Sequence, residues 1–593
     1  MAVSVHHGAT VVPSRATTAP RAGVSARLGI VAEALVVLGL VAVGGLVRWP
    51  NLLLSPQFSS VGETAMRALD VVDGRALYLT DSAPYLGAPF LYVLALVYRL
   101  FGPSVEATVL VAWTIGTLTI VPTYLLGREV GGRVAGIVGA AFLATSGAHT
   151  VITSHVPLSH SLTPLAATVT LWLLARAIRQ SARRSTVDPD PGNLGTGDSA
   201  VASAPGAWSK ERGAAFGSGG RMLALAGLGA GLSLQTHPTV LPLLAGSALG
   251  AVAMRPGWLR TRWPVVAAAC LVLGYGTLLA HHVVSRFDVV ADIEGKQARY
   301  LDDDDDSVES SERGVYAKNL ELLGLSAVRM SSGAILDRET TRDYLADGWV
   351  LAYPILAVAG LAVAARRGAA WLAAGAACMV LLPPILNGKY GPILDGRYLM
   401  PLMPVIFVGI GLAFAALVRL VEWPTTSAHA PSDPGRPRSS PAARFGRSAA
   451  LVGLAVAALV LVARPVTLLG EFYEESQEDG FSNALYLRTL DQVKAARTGD
   501  EGVILDERLQ EVKSHGGGKA GTNFTWLLAV SRIPTEPLAS VTDPAALDGR
   551  LAILQRATAE RLAGQLTLTS IDGRRAGNRD PQSYRAYRIA LKP

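Results

Sequence analysis

Apolar runs about as long as a bilayer core is thick recur along this chain of 593 residues, and that recurrence limits the possible folds more than any motif does. A hydrocarbon core of roughly 30 Å takes about 20 helical residues to cross, and backbone polar groups inside it must bond to one another. The sequence therefore predicts membrane helices near 28–48, 105–126, 131–149, 160–178, 221–237, 239–254, 262–284, 348–365, 369–386, 398–419 and 448–465. Pro89 to Gly102 is apolar but spans only about fourteen residues and contains Arg99, which predicts a juxtamembrane helix rather than a crossing.

Charge orients these spans. Half of the residues are hydrophobic and 17% are charged, the balance of a polytopic helical membrane protein. The net charge of +7 does not point to nucleic acid, because the basic residues sit in short loops beside apolar spans and not on one soluble face. Every second loop is basic: Arg128 and Arg133; Arg176, Arg179, Arg183 and Arg184; Arg255, Arg260 and Arg262; Arg366 and Arg367; then Arg419, Arg436, Arg438, Arg444 and Arg447. These are the expected cytoplasmic loops. The segment 285–347 has the opposite bias, with Asp302 to Asp306 unbroken and acids at Asp288, Asp292, Glu294, Glu309 and Glu312, so it is expected outside as a solvated loop. An odd number of spans puts the termini on opposite sides of the cell membrane. Residues 1–27 carry no acid and no periodicity and read as a disordered cytoplasmic leader. Segments 179–220 and 420–447, rich in Gly, Ser, Pro and Arg, read as cytoplasmic linkers. Cys270 and Cys378 both lie inside spans, which disfavours a disulfide framework or a thiolate metal site.

Beyond the last span the composition changes. Residues 466–593 contain no membrane-length run but do contain the strand-like pieces GVILD (502–506) and SYRAYRIAL (583–591), which predict a small extracytoplasmic α/β domain. On the same side, the first outer loop, 49–104, carries Glu63. A carboxylate between a low-dielectric bilayer and water can act strongly on nearby charge and accept a proton, which makes this loop a candidate reaction centre.

The order of segments carries a resemblance. A first span, an outer loop with an acidic motif, GAPFLYVLALVYRLFG, and a span running into PTYLLGREVGGRVAGIVGAAFLATS resemble the GT-C superfamily of membrane glycosyltransferases. The similarity is to the branch of protein O-mannosyltransferases and aminoarabinose transferases to lipid A, and DGRYLMPLMPVIFVGIGLA (395–413) is similar to the start of a late span in that branch. The resemblance covers roughly 28–180 and 345–420. It implies a GT-C-like fold, a polyprenyl-phosphate sugar donor lying in the bilayer, and transfer of the sugar to an acceptor on the outer face with lipid phosphate as leaving group. The family's usual Asp-Glu pair stands here as Gly62-Glu63; its Leu-Asp-Pro acid stands as Leu162-Thr163-Pro164; and no lysine precedes the juxtamembrane proline in Gly87-Ala88-Pro89. The paired acids of a divalent-metal site are therefore missing, and the sequence requires no cofactor.

Transfer from a phosphate-linked sugar needs a base to activate the acceptor and cations to stabilise the departing phosphate. Glu63 is the candidate base, its alternative being a loop acid paired with Arg67. Arg397 with Tyr398, and Lys389 with Tyr390 in the same outer loop, are candidates for the lipid phosphate, the alternative being interfacial anchoring. His149, His155 and His160 gather at the outer turn between the third and fourth spans, and His237 lies at another outer turn. Spacings of six and five fit no tight zinc pair, so His155 and His237 are read as substrate contacts or as interfacial packing, and no metal site is assigned. The expected function is an integral membrane glycosyltransferase with an acceptor the sequence does not identify. The alternatives are a flippase for lipid-linked saccharides, disfavoured by spans nearly free of mid-depth charge, and an inactive lipid-sugar binding protein.

Overall fold

The computed structural model describes residues 21–54, 61–80, 83–183, 217–286, 315–333, 348–385, 395–426, 441–478, 483–510, 520–571 and 584–592. The expectations for 1–20, for the linker stretches 184–216 and 427–440, for Asp302 to Asp306, and for Lys389 and Tyr390 lie outside them.

The protein is mostly helical. Among the described residues six helices are long and apolar enough to cross a membrane: Gly29–Val47, Val105–Gly131, Ser159–Ala182, Gly348–Ile385, Tyr398–Glu422 and Arg444–Glu474. Two bent pairs pass the same test together, Arg133–Thr145 with Gly147–His155 at 63°, and Trp263–Gly274 with Gly276–Val284 at 64°. The first helices are α1 (Arg21–Val47), α2 (Val61–Val72), α3 (Pro89–Phe101), α4 (Val105–Leu118), α5 (Ile120–Gly131), α6 (Arg133–Thr145), α7 (Gly147–Thr150) and α8 (Ser159–Arg183). Between α7 and α8 a π turn covers Val151–His155. The segment Gly348–Ile385 is broken at Arg367 and Gly368, where Gly368 takes a φ of 89° that side chains rarely adopt. Gly348–Ala364 then packs on Met403–Thr426, while Ala370–Leu381 packs on Leu241–Met254.

One helix was not expected. Val315–Ser332 lies within the acidic segment read as an outer loop, yet it packs on Gly348–Ala364 and buries Leu323 and Met330. Tyr316 donates to the Leu381 carbonyl at 2.9 Å and Asn319 to the Pro384 carbonyl at 3.1 Å, closing the end of the neighbouring helix. Its apolar positions are too few for a membrane run and its flanks are acidic, which hid it.

Glycine sets how closely the bundle packs. A Cβ on Gly360 would lie 1.7 Å from the Gly409 carbonyl oxygen, and one on Gly227 or Gly231 would lie 2.1 Å from the carbonyl of Ala267 or Leu271. Without water to expel, helices in a bilayer associate through such close backbone approach and dispersion.

The C-terminal unit holds a five-stranded sheet of order β2-β1-β3-β5-β4, from β1 (Val503–Leu505), β2 (Thr535–Pro537), β3 (Leu551–Gln555), β4 (Leu566–Ser570) and β5 (Tyr584–Leu591). β1 is parallel to β2 and β3, while β5 is antiparallel to β3 and β4. The two strand-like pieces of the sequence are β1 and β5. Glu501 locks them together: it accepts from Arg588 at 2.6 Å and from the Leu551 amide at 3.2 Å. This unit is not separate from the first outer segment. Val61, Ala65, Phe90 and Leu91 of α2 and α3 share one apolar core with Phe524, Trp526, Leu527 and Val503.

Two tests follow from this packing. Gly360→Val should lower the thermal midpoint of the detergent-purified protein by the equivalent of about 1–3 kcal/mol, the cost of overpacking. Gly453→Ala, which meets nothing within 4 Å, should not. Burial works to raise the pKa of Glu501, but its bonds to Arg588 and Thr498 outweigh it and hold the carboxyl below the ordinary range. A carboxyl depressed in the folded state contributes stability above its unfolded pKa of about 4.3 and loses it as pH falls through the folded value. Acid titration of the melting curve should therefore show a steeper loss below that pH in the native chain than in Glu501→Gln.

Candidate active site

A buried guanidinium organises the end of the bundle where α1 meets the first outer segment. Arg48 follows α1 and is fully buried. It donates to the carbonyls of Gly44 at 2.9 Å, Ala144 at 2.7 Å and Leu143 at 2.9 Å. Its fourth partner is His149 Nδ1, at 3.0 Å. Leu143 and Ala144 end α6, so Arg48 supplies donors to carbonyls that a broken helix leaves exposed. The chain can then bend through α7 and the π turn. The turn fits against α4 because Gly116 leaves room: a Cβ there would stand 2.1 Å from Ser154 Oγ.

The histidines divide into two groups. His155 lies inside, 1% exposed, with Nε2 donating to the Arg48 carbonyl at 2.9 Å and its ring stacked on Tyr473 at 5.6 Å. His149 is likewise buried, on Arg48 and Thr153. His160 and His237 form the second group. His160 opens α8, His237 caps the turn Pro238–Val240, and their rings stand 4.2 Å apart. Tyr398 faces both, at 6.2 Å from His160 and 5.5 Å from His237, and Tyr85 meets His237 at 5.9 Å. His237 Nδ1 accepts from the Thr239 amide at 3.2 Å, which leaves the proton of the neutral ring on Nε2. Four segments distant in sequence thus bring aromatic rings to one place.

Gln235 fastens the first outer segment to this cluster. Its carbonyl accepts from the Gly87 amide at 2.8 Å, and its side chain donates to the Gly274 carbonyl and accepts from Thr277. Gly274 and Thr277 flank the bend between Trp263–Gly274 and Gly276–Val284, so Gln235 repairs that break as Arg48 repairs the other. Gly87 must be small, since a Cβ there would lie 2.4 Å from Gln235 Oε1.

Glu63 sits in the first turn of α2, where the helix dipole favours an anion. It pairs with Arg67 at 3.3 Å and is 40% exposed. Its neighbour Gly62 is closed in by Trp526, whose Cδ1 would be 2.5 Å from a Cβ on Gly62. An aspartate at that position would collide with the indole as it stands. Arg397 lies on the helical turn Asp395–Leu402, which also presents Tyr398; Lys389 and Tyr390 belong to the segment outside the described residues. Among the described residues no three His, Cys, Asp or Glu side chains converge as metal ligands.

The sequence reading did not single out Arg48, Gln235 or Tyr473. Arg48 had left a signal: a basic residue at the end of a span expected to face outward runs against the positive-inside rule. Gln235 and Tyr473 left none, because each acts through backbone groups far away in the chain.

No protein-family model matches the chain, and no curated protein matches it in sequence. Solved structures do match in fold. The crystal structure of ArnT, an aminoarabinose transferase from Cupriavidus metallidurans, bound to undecaprenyl phosphate superposes with a TM-score of 0.51 at 16% identity, over 93% of this chain and 97% of that one. The same protein in the apo state gives 0.51 and 16%, over 95% and 98%. The chain therefore shares the GT-C fold of that transferase over nearly its whole length.

Arg48→Ala should leave the Ala144 carbonyl without the guanidinium donor and the Leu143 carbonyl with only the Ser146 amide at 3.4 Å, at about 1–3 kcal/mol for a buried group that loses its donor. The expected result is a lower melting temperature and faster proteolysis between residues 145 and 158. Arg48→Lys should recover only part, because one ammonium cannot reach three carbonyls and an imidazole in the fork geometry of a guanidinium. An unchanged melting curve in Arg48→Ala would show that those carbonyls are satisfied without it.

Proposed function

We propose that this protein of GT-C fold is an integral membrane glycosyltransferase that moves a sugar from a polyprenyl-phosphate donor to an acceptor at the outer membrane face. The observation that carries the reading is the convergence of His160, His237, Tyr398 and Tyr85 at the end of the bundle where the first outer segment docks, with Arg397 on the same short helix as Tyr398. The fold shared with a lipid-phosphate-bound transferase supports it. In this reading the chain crosses the membrane eleven times, the N-terminus is cytoplasmic and the sheet unit lies outside.

The chemistry assigned to the residues is a single displacement. An acceptor nucleophile forms a bond to the anomeric carbon while the bond from that carbon to the phosphate oxygen breaks, and the electron pair leaves on the polyprenyl phosphate. Glu63 takes the acceptor's proton, and Arg397, with Lys389 from the stretch that precedes it in sequence, stabilises the charge on the departing phosphate. His237, with its proton on Nε2, and Tyr398 and Tyr390 orient the sugar and the phosphate. His155 serves from beneath, by fixing the turn that presents His160.

A second reading has its own support. Trp526 fills the space beside Gly62 where the family carries its first acid, which suits a protein that binds a lipid-linked sugar without transferring it. Incubating the purified chain with a labelled polyprenyl-phosphate sugar separates the two: release of lipid phosphate indicates transfer, and binding without release indicates the second. Glu63→Gln should cut transfer by about a hundredfold or more, the usual contribution of a general base, with expression retained. Turnover at the native rate in that variant would remove Glu63 from the mechanism.

A further inference from the structure

At the opposite end of the bundle the ends of four helices enclose a cavity of about 520 Å³. Arg128, Arg133, Arg176, Arg179 and Arg419 line it, with Glu129 the one acid among the described residues on its wall. Along α8, Arg176 stands about 24 Å from His160, at 1.5 Å per helical residue, so this cavity is remote from the candidate active site.

The charges do not cancel. Glu33 takes Arg128 at 2.5 Å and Arg133 at 2.8 Å, and Glu129 takes Arg179 at 3.3 Å. Arg176 lies over the Trp172 ring at 5.7 Å, and Arg419 donates to the Gly131 carbonyl at 2.8 Å. Among these described residues five guanidinium groups stand against two carboxylates, three positive charges in excess. The amino end of α6 opens on the same cavity, at Gly132 and Arg133, with no side chain capping it. Uncapped backbone amides at a helix amino terminus and converging arginines both select an anion, phosphate oxygens above all. Val134, Leu417 and Leu420, close in sequence to Arg133 and Arg419, are exposed apolar side chains, which suit acyl chains better than water.

We propose that this cavity binds the phosphodiester headgroup of an anionic phospholipid, its acyl chains lying along the exposed apolar side chains. Basic pockets between the ends of membrane helices have the charge and position to take such headgroups. The site would hold the ends of α5, α6, α8 and Met403–Thr426 in one arrangement. It requires no part of the sugar-transfer reading.

Native mass spectrometry of the full chain, delipidated in detergent, tests this with phosphatidylglycerol as probe, phosphatidylcholine as the neutral comparison and inorganic phosphate as a soluble competitor. The native chain should retain phosphatidylglycerol in preference to phosphatidylcholine, with retention falling as salt rises. Replacing both Arg176 and Arg179 by Gln should weaken that retention roughly ten- to thirtyfold, from about 1 kcal/mol per basic residue, whereas Arg260→Gln, outside the cavity lining, should leave it unchanged. Equal retention of the two lipids by the native chain overturns the proposal whether or not the variant folds. So does undiminished binding in a folded double variant, and displacement by millimolar inorganic phosphate would reassign the site to a soluble anion.

Discussion

The end of the bundle where α1 meets the segment that follows it depends on how Arg48 is bonded. A guanidinium with five donors is buried with no carboxylate among its hydrogen-bond partners, and what it finds instead are backbone carbonyls and an imidazole nitrogen. Those carbonyls exist because α6 stops short of a full crossing and the chain turns through α7 and the π turn. A helix that ends inside a bundle leaves several carbonyls without partners, and in a low dielectric each one costs free energy. Arg48 meets that need from the end of α1, while its own carbonyl receives His155, which stacks on Tyr473 of the helix Pro441–Glu478. The first span, the broken third and the last helix before the sheet unit are thereby joined at one point. The position of His160, five residues beyond His155, follows from that joint.

The second constraint is distance. Where a Cβ would fall within about 2 Å of a carbonyl oxygen, as at Gly360, Gly227 and Gly231, the helices can approach only as bare backbones. Close contact raises dispersion and makes the bundle stiff, so rings contributed by α8, the turn after Gly217–Thr236 and the turn Asp395–Leu402 can meet with little freedom to drift. Gln235 does for the bend at Gly274 what Arg48 does for the end of α6. In both places a polar side chain occupies a helix break, and in both the first outer segment is attached at that break.

Legibility in the sequence followed the range of the interactions. Periodicity and length are local, and they point to a mostly helical chain, to the turn at Arg366 and Arg367, and to the strands β1 and β5, but of the eleven expected spans six helices, or eight with the bent pairs, reach membrane length among the described residues. The helix Val315–Ser332 escaped because its apolar face is short and covered by neighbours that lie further along the chain. Glu33 was passed over as a residue within a span, although an acid at that depth needs partners; it has two arginines and Tyr124. Of the candidate site, the histidines and Tyr398 could be named but not sorted. Only the folded chain separates His155, bonded to backbone beneath the surface, from His160 and His237, which face Tyr398.

The glycine before Glu63 has a physical counterpart in the fold. Gly62 lies under Trp526, and the indole belongs to a core shared by α2, α3 and the sheet unit. Asn483 strengthens that union, its amide bonding the Leu54 carbonyl at 2.7 Å and its side chain the Leu53 carbonyl at 3.2 Å. A second carboxylate at position 62 would have to displace a buried tryptophan and would lose its water in doing so, and both cost free energy. The small residue at position 62 and the closure of the sheet unit onto α2 therefore go together. A chain built this way has a single carboxylate left on that turn, Glu63, held at the helix amino end beside Arg67.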